Sequence, residues 1–299
     1  MCQLDKKSKN NLLIKKINSN KSTIRRKDIY TKFIGGKNMS LIVTVWTTEG
    51  IVMGSDSRVS FSSQIIPNLP VHIQTGHFFD TQEKTFMCPN NCGISTCGAA
   101  SLQGKNITGF IYSFINNQIT QSTSVQDTAT KLKNYIIGID SNAEVHFFVS
   151  GYDVINNQDV LSVYYVVTGN KNICNLISTT STGAKWDGEI NTLLRIMEPN
   201  YICNTSLSMQ QVTINTQQGP QNIGDAYILP ANNTLVMNGN SIVWNLMTLQ
   251  DAIDFVRYAI NITIETMRFS NVNKTVGGPI DILVITPNKA NWISHKALH

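Results

Sequence analysis

Hydrophobic positions along the chain fall into short groups, first with the period of strands, then with that of helices. The predicted strands are runs rich in Val, Ile and aromatic residues, bounded by turn signals such as Thr48-Glu49-Gly50. They cover residues 41–47, 51–55, 84–88, 92–97, 145–150, 160–167, 173–178, 280–285 and 291–294. Strand groups that alternate with helix groups predict an α+β fold.

Apolar residues recur at helical spacing in four segments. These predicted helices cover residues 98–117, 125–139, 186–197 and 251–267. The first opens at Gly98-Ala99-Ala100, and the last has the clearest apolar face. Residues 200–247 show no clear period and indicate an inserted elaboration, and residues 60–80 form a polar stretch that contains proline. Helices grouped between strands predict two packed sheets covered by helices on both outer faces.

Charge is concentrated in residues 1–39. This leader holds 11 of the 24 Lys and Arg residues but two of the 19 acidic ones. Residues 40–299 are therefore net acidic, which argues against nucleic acid as a partner. The leader is rich in Lys, Asn and Ser, which predicts that it does not fold.

Three interpretations of the leader stay open: a pro-segment removed by self-cleavage, a retained basic tail, or upstream DNA translated by mistake. Gly35-Gly36 favours the third, because GGA-GGT codons there would form a bacterial ribosome-binding site just before Met39. The leader lacks the apolar core of a signal peptide. Residues 40–299 have the length of one large domain.

The cysteines are scattered, and without a secretory signal they indicate reduced thiols in a cytoplasmic protein. Cys88-Pro-Asn-Asn-Cys92 is typical of a hairpin, because no histidine or fourth cysteine follows at ligand spacing. No metal and no cofactor is expected. No apolar run reaches the length of a membrane span, so no membrane partner is expected either.

Candidate chemistry begins at Ser40, which directly follows Met39. If translation starts at Met39, removal of that methionine leaves Ser40 with a free α-amine beside its hydroxyl. A nucleophile and a base would then share one residue, which is a known route to acyl-transfer catalysis. An aspartate on a tight turn, a lysine and a glycine follow within about sixty residues, as such a nucleophile requires.

The segment 40–100 resembles the catalytic β-type subunits of the proteasome and their bacterial peptidase relatives, the N-terminal nucleophile hydrolases. The resemblance is carried by Ser40, by Asp56-Ser57-Arg58, and by Lys84 at the family's distance from Gly98-Ala99-Ala100. Toward the C-terminus, Gly277-Gly278 followed by an apolar strand resembles the family's closing strand. The interval between Asp56 and Lys84 is longer than in the family, so the resemblance implies an insertion near residues 60–80.

The resemblance implies a four-layer αββα sandwich of two mainly antiparallel sheets flanked by helices. It also implies the site: Ser40 attacks, Lys84 favours the deprotonated nucleophile, and Asp56 orients the lysine. Gly98, at a helix N-terminus, would donate its N–H to the oxyanion. Thr182, or else Ser181, would assist the amine. Serine replaces the family's usual threonine, and Asn273 and Val276 replace its supporting Asp and Ser.

The function implied is a proteasome-like peptidase that hydrolyses peptides or unfolded proteins through an acyl-enzyme. Two alternatives stay open: a non-catalytic subunit that builds rings, and an amidase acting on small amides. The resemblance further implies a homo-oligomeric ring, and the sequence does not identify any ATPase partner.

Overall fold

The computed structural model describes most of the chain after the leader. The described residues are 40–61, 77–169, 172–177, 182–197, 200–203, 208–216, 219–228, 235–238 and 242–297. The predicted leader, most of the predicted insertion near 60–80, and Ser181 lie outside them. Contacts divide the chain into units 1–37 and 38–299, and the described residues all belong to the second.

The second unit contains both strands and helices. The strands are β1 Leu41–Trp46, β2 Ile51–Ser55, β3 Val59–Phe61, β4 His77–Phe79, β5 Thr85–Met87, β6 Gly93–Gly98, β7 Ser101–Leu102, β8 Lys105–Asn106, β9 Val145–Ile155, β10 Gln158–Val167, β11 Asn172–Asn175, β12 Gly183–Gly188, β13 Asn200–Cys203, β14 Ser208–Thr216, β15 Gly219–Ile228, β16 Leu235–Asn238, β17 Asp281–Thr286 and β18 Lys289–Ser294. The α-helices are α1 Ile107–Gln118, α2 Val125–Ile139, α3 Asn191–Met197 and α4 Leu249–Phe269.

Two five-stranded antiparallel sheets carry the fold. The first has the order β12-β1-β2-β17-β18 and the second the order β11-β10-β9-β6-β5. Every residue of β1 and β2 is buried, because both strands lie inside their sheet and are covered on both faces. That burial explains why these strands are continuous apolar runs in the sequence. The expected mixture of helices with antiparallel sheets is thus confirmed.

Three apolar clusters show which surfaces pack together. One joins Ile42 and Met53 of the first sheet to Phe148 of the second, so these two sheets face each other. A second cluster packs α1 and α2 on the second sheet. A third packs α3 and α4 on the first sheet, with Val256 and Ile260 fully buried. Among the described residues, no helix is long and apolar enough to cross a membrane.

Two of the predicted helices begin later than expected. The prediction that a helix opens at Gly98 is wrong: Gly98 ends β6, the short β7–β8 hairpin follows, and α1 begins at Ile107. The Asn106 side chain caps α1 by accepting the Thr108 amide at 2.8 Å. The predicted helix over 186–197 is also wrong in its first part, because Trp186 lies in β12 and pairs with Val43.

The predicted helix over 125–139 is confirmed, and the last helix extends slightly beyond its predicted range. The Pro-Asn-Asn turn does join two strands, β5 and β6, as the hairpin interpretation requires. In the aperiodic region 200–247, the described residues form two antiparallel pairs, β13 with β16 and β14 with β15. That region therefore contains strands that the pattern did not predict.

Candidate active site

Ser40 lies directly before β1, at the end of the first sheet. Ser40 is nearly covered, because only 7% of its surface is exposed. Its carbonyl oxygen accepts the Glu189 amide at 2.7 Å. Gly188 pairs with Leu41 and has φ +99°, and a Cβ there would lie 1.9 Å from the Ser40 carbonyl oxygen. The end of β12 therefore holds the Ser40 backbone, and only glycine fits at position 188.

Asp56 follows β2 and is fully buried. Its Oδ1 accepts the Leu41 amide at 2.9 Å and the Lys84 Nζ at 2.7 Å. Its Oδ2 accepts the Arg58 amide at 3.1 Å and the Gly277 amide at 3.0 Å. A carboxylate that receives four donors is held in a single orientation, so Asp56 fixes the lysine relative to the residue that follows Ser40.

Lys84 precedes β5, and its side chain is 4% exposed. Besides Asp56, its Nζ donates to the Arg58 carbonyl oxygen at 2.5 Å. Burial lowers the pKa of Lys84 below the ordinary 10.5, and the nearby Asp56 charge offsets part of that effect. A lysine with a lowered pKa releases its proton more easily, and its neutral form can accept one from a hydroxyl.

Asp56 connects Ser40 to Lys84. Among the hydrogen bonds of the described residues, none joins the Ser40 hydroxyl directly to the lysine. The link runs instead from Lys84 to Asp56 Oδ1, and from there to the amide of Leu41, the residue after Ser40. Catalytic hydrogen bonds are often longer before substrate binds, so this indirect link is compatible with proton transfer from serine to lysine.

Gly98 is the last residue of β6 and has φ +97°. A Cβ at this position would lie 2.6 Å from the Glu144 carbonyl oxygen, so glycine is required. The Thr96 amide donates to the Lys84 carbonyl at 2.8 Å, whereas the Ala99 amide donates to Glu144 on the other side. Because amides alternate along a strand, the Gly98 N–H points to the β5 side of β6. With α1 starting at Ile107, no helix dipole acts at Gly98.

The register of β12 does not bring Thr182 to Ser40. Gly183 pairs with Trp46, at the far end of β1, whereas Gly188 pairs with Leu41 beside Ser40. Thr182 is therefore separated from Ser40 by the length of the strand, about 20 Å at roughly 3.3 Å per residue. The assistance to the amine that the resemblance implied for Thr182 has no support in this geometry.

The turn after Asp56 is held by Ser57 and Arg58. The Ser57 hydroxyl donates to the Pro279 carbonyl at 2.7 Å. The Arg58 guanidinium binds Asp80 through two hydrogen bonds of 2.7 Å and lies 4.0 Å from the centre of the Phe78 ring. A bidentate pair of this kind fixes geometry as well as charge. The turn is thus anchored on both sides, which keeps Asp56 in place.

A second polar cluster was missed by sequence reasoning. It consists of Cys97, His146, Tyr165 and Asp187, from four strands that belong to both sheets. His146 Nδ1 lies 2.6 Å from Asp187 Oδ2, and the Tyr165 hydroxyl donates to the same oxygen at 2.5 Å. Residues so far apart along the chain have no motif spacing, so no sequence signal could have joined them.

Asp187 and His146 stabilise each other's charged forms. Burial alone would raise the pKa of Asp187, but the hydrogen bonds from His146 and Tyr165 outweigh it and lower the pKa. Burial alone would lower the pKa of His146, and the hydrogen bond to Asp187 reverses that, so the pKa is raised. Burial raises the pKa of the Cys97 thiol well above its ordinary value. The cluster thus places a hydrogen-bonded histidine and carboxylate beside a buried thiol.

Comparison with known proteins gives only distant similarities. No protein-family model and no curated protein matches the chain. The structure is similar to Anbu (ancestral beta-subunit) from Yersinia bercovieri, with a TM-score of 0.49 and 13% identity, over 86% of this chain and 87% of that chain. It is also similar to the Anbu (Gly-1) mutant from Hyphomicrobium sp. strain MC1, with a TM-score of 0.47 and 14% identity, over 86% and 88%.

The prediction from the sequence that the chain belongs to the proteasome β-type subunits and their bacterial peptidase relatives is wrong. No family model matches the chain, and the two solved structures, with TM-scores of 0.49 and 0.47 at 13% and 14% identity, do not show membership of that family. Short motifs such as Asp-Ser-Arg recur in unrelated turns, so their spacing does not define a family. The chemistry of this site therefore has to be argued from its own contacts.

Proposed function

We propose that this chain hydrolyses peptide bonds through Ser40, acting as an N-terminal nucleophile. One observation carries the proposal: a lysine–aspartate pair, buried and hydrogen-bonded, that is tied to the backbone of the residue after Ser40. A scaffold protein gains little from such a pair, because burying two charges costs about as much as their attraction returns. Part of the proposal is that the two sheets and their helices form the four-layer αββα sandwich implied by the sequence.

Lys84 and the free α-amine of Ser40 are the candidate bases. In the proposed first step, the Ser40 Oγ proton passes to one of them while Oγ attacks the carbonyl carbon of the scissile bond. The carbonyl oxygen becomes negatively charged, and the Gly98 N–H is the proposed donor to it. The proton then goes to the departing amine, and the acyl group stays on Oγ.

Water completes the cycle in the second step. The base takes a proton from a water molecule while the water oxygen attacks the acyl carbon. Oγ recovers its proton as the ester bond breaks. Asp56 holds Lys84 in place throughout, through Oδ1. No cofactor is needed for this chemistry, since each proton that leaves one group is taken up by another.

Substitution of Ser40 tests the proposal. In a chain that begins at Met39 and has lost that methionine, Ser40→Ala is expected to abolish hydrolysis of fluorogenic peptides while the protein stays folded. Ser40→Thr keeps the hydroxyl and the amine and is expected to retain activity. The exposed Ser122 serves as the matched control, because Ser122→Ala leaves the site unchanged. Peptide turnover by Ser40→Ala above a few per cent of the parent rate would refute the nucleophile.

The same assay separates the remaining candidates. Turnover of small amides without turnover of peptides would favour the amidase, and turnover of neither would favour the non-catalytic subunit.

The ring expected from the sequence stays a prediction, and a monomeric mass by light scattering at micromolar concentration would contradict it.

A further inference from the structure

The second polar cluster contains three side chains that commonly bind metal ions. Cys97 comes from β6, His146 from β9 and Asp187 from β12, so the second sheet supplies two and the first supplies one. One Sγ, one ring nitrogen and one carboxylate oxygen all lie within 4.8 Å of each other. The cluster thus bridges the two sheets, next to the strand end that holds Ser40.

Neighbouring groups orient two of the three, His146 and Asp187, as the outer partners of metal ligands do. The His146 ring turns Nδ1 toward Asp187, and its Nε2 lies 3.7 Å from Glu144 Oε1. A carboxylate behind the second ring nitrogen is the usual arrangement around a metal-binding histidine. Asp187 is held by the Tyr165 hydroxyl at 2.5 Å on Oδ2 and by the Gly188 amide at 2.7 Å on Oδ1.

We infer that Cys97, His146 and Asp187 form a binding site for Zn²⁺. The ligand types select the ion: zinc accepts sulfur, nitrogen and oxygen together, whereas magnesium and calcium require oxygen ligands. Charge also fits, because a thiolate and a carboxylate balance the two positive charges of the ion. Three protein ligands leave a fourth position for water or the Tyr165 hydroxyl.

Small movements of side chains would complete the coordination. A tetrahedral zinc ion with bonds of about 2.0–2.3 Å keeps its ligand atoms roughly 3.3–3.7 Å apart. His146 Nδ1 and Asp187 Oδ2, now 2.6 Å apart, would separate by less than about 1 Å, and the sulfur would move inward. The ion replaces the proton between these two atoms, and the Cys97 thiol loses its proton to solvent. The side chains of His146 and Asp187 are 21% and 17% exposed, which leaves the ion a route in.

A cysteine nucleophile is the competing interpretation, since Cys, His and Asp also form catalytic triads. The contacts argue against it. Nδ1 of His146 is engaged by Asp187 and Nε2 faces Glu144, so neither ring nitrogen is placed to take the thiol proton. Cys97 is only 4% exposed, whereas a nucleophilic cysteine needs access to substrate.

Zinc binding to the full-length chain tests the inference. After removal of metals with a chelator and dialysis against Zn²⁺, we expect one zinc ion per chain by elemental analysis. Cys97→Ser and His146→Gln are each expected to weaken binding at least about tenfold. The exposed Cys174 provides the matched control, and Cys174→Ser should bind zinc as the parent does.

Cobalt gives a second measurement that needs no variant. Co²⁺ in the parent protein should show a thiolate-to-metal absorption band in the near ultraviolet and the strong visible bands of tetrahedral coordination. Less than stoichiometric zinc, a missing thiolate band, or full zinc affinity in Cys97→Ser would overturn the site and leave an ion pair beside a buried thiol. Ser40→Ala should bind zinc normally, so failure of this inference is distinguishable from failure of the proposed catalysis.

Discussion

Asp56 is the residue on which the geometry of the candidate active site most depends. It is 0% exposed, and its two oxygens accept hydrogen bonds from three backbone amides and from Lys84 Nζ. One of those amides belongs to Leu41, so Asp56 connects the lysine to the strand that begins at Ser40. Loss of its charge would leave the buried lysine with the Arg58 carbonyl as a hydrogen-bond acceptor but without its negatively charged partner.

Asp56→Asn is expected to lower the free energy of unfolding by about 3–5 kcal/mol, the usual cost of breaking a buried ion pair on one side. Denaturation in urea measures the change. Asp80→Asn removes the charge from the other ion pair of this turn, but the Asp80 side chain is 34% exposed, so we expect a clearly smaller loss. Equal losses of unfolding free energy in Asp56→Asn and Asp80→Asn would show that the burial of Asp56 does not increase the cost of removing its charge.

Lys84 should make stability depend on pH. Its pKa is lowered in the folded protein, whereas in the unfolded chain it returns to about 10.5. Between these two values the unfolded state binds more protons, so the free energy of unfolding rises with pH. The stability that Lys84 contributes is complete above pH 10.5, and it is lost as the pH falls through the pKa of Lys84 in the folded protein.

Lys84→Met keeps the length of the side chain and cannot titrate. The difference in unfolding free energy between the parent and this variant should grow in favour of the parent from neutral pH to about pH 11. All other titrating groups are common to both proteins, so the difference isolates the lysine. A difference that stays constant with pH would show that burial leaves the Lys84 pKa unchanged.

At the scale of elements, the end of β12 positions the nucleophile. Gly188 has φ +99°, and Glu189, the next residue, donates its amide to the Ser40 carbonyl. Gly188→Ala would place a methyl group 1.9 Å from that carbonyl, so β1 and β12 must separate at this point. We expect Gly188→Ala to lose most peptide hydrolysis and to lower the unfolding free energy.

Gly104→Ala is the control for this experiment. Gly104 also has a positive φ, +73°, but nothing lies within 4 Å of the position where its Cβ would be. Gly104→Ala therefore introduces the backbone strain without the clash. It should lower the free energy of unfolding by about 1 kcal/mol and leave hydrolysis intact. Similar activities in the two variants would mean that contact with Ser40 does not matter.

Elements with a strong local pattern were predictable, and those that depend on distant contacts were not. The helix at 125–139 has a regular apolar face and a serine, Ser124, that caps it by accepting the Asp127 amide. The spacing of the apolar residues around Trp186 predicts a helix there. Trp186 lies in a strand instead, because pairing with Val43 and packing on the helices of the first sheet outweigh local propensity.

At the scale of the whole molecule, the leader decides whether the proposed nucleophile can work. The α-amine of Ser40 has an ordinary pKa near ~8 and acts as a base only when it is free. In a chain that starts at Met1, that nitrogen belongs to the amide bond with Met39 and has no basic lone pair. The mechanism in which this amine is the base therefore predicts that the full-length chain is inactive until it is cleaved before Ser40.

Expression of two forms, one from Met1 and one from Met39, checks this expectation by intact mass together with peptide turnover. Only the species whose first residue is Ser40 should turn over substrate. Full activity in an uncleaved chain would rule out a mechanism based on the terminal amine.

The sequence alone determined the alternation of strands and helices, the basic leader, and the candidate residues Ser40, Asp56, Lys84 and Gly98. These signals are local: apolar period, turn residues and short spacings act over a few turns of chain. Only the tertiary structure decided which of these residues meet. Antiparallel pairing fixes which residues are neighbours across strands that are distant in the chain. In the register of β12, Asp187 and Gly188 lie near Ser40, whereas Thr182 lies at the other end of the strand. The Cys97, His146 and Asp187 cluster exists for the same reason, since two facing sheets bring together residues that no sequence motif connects.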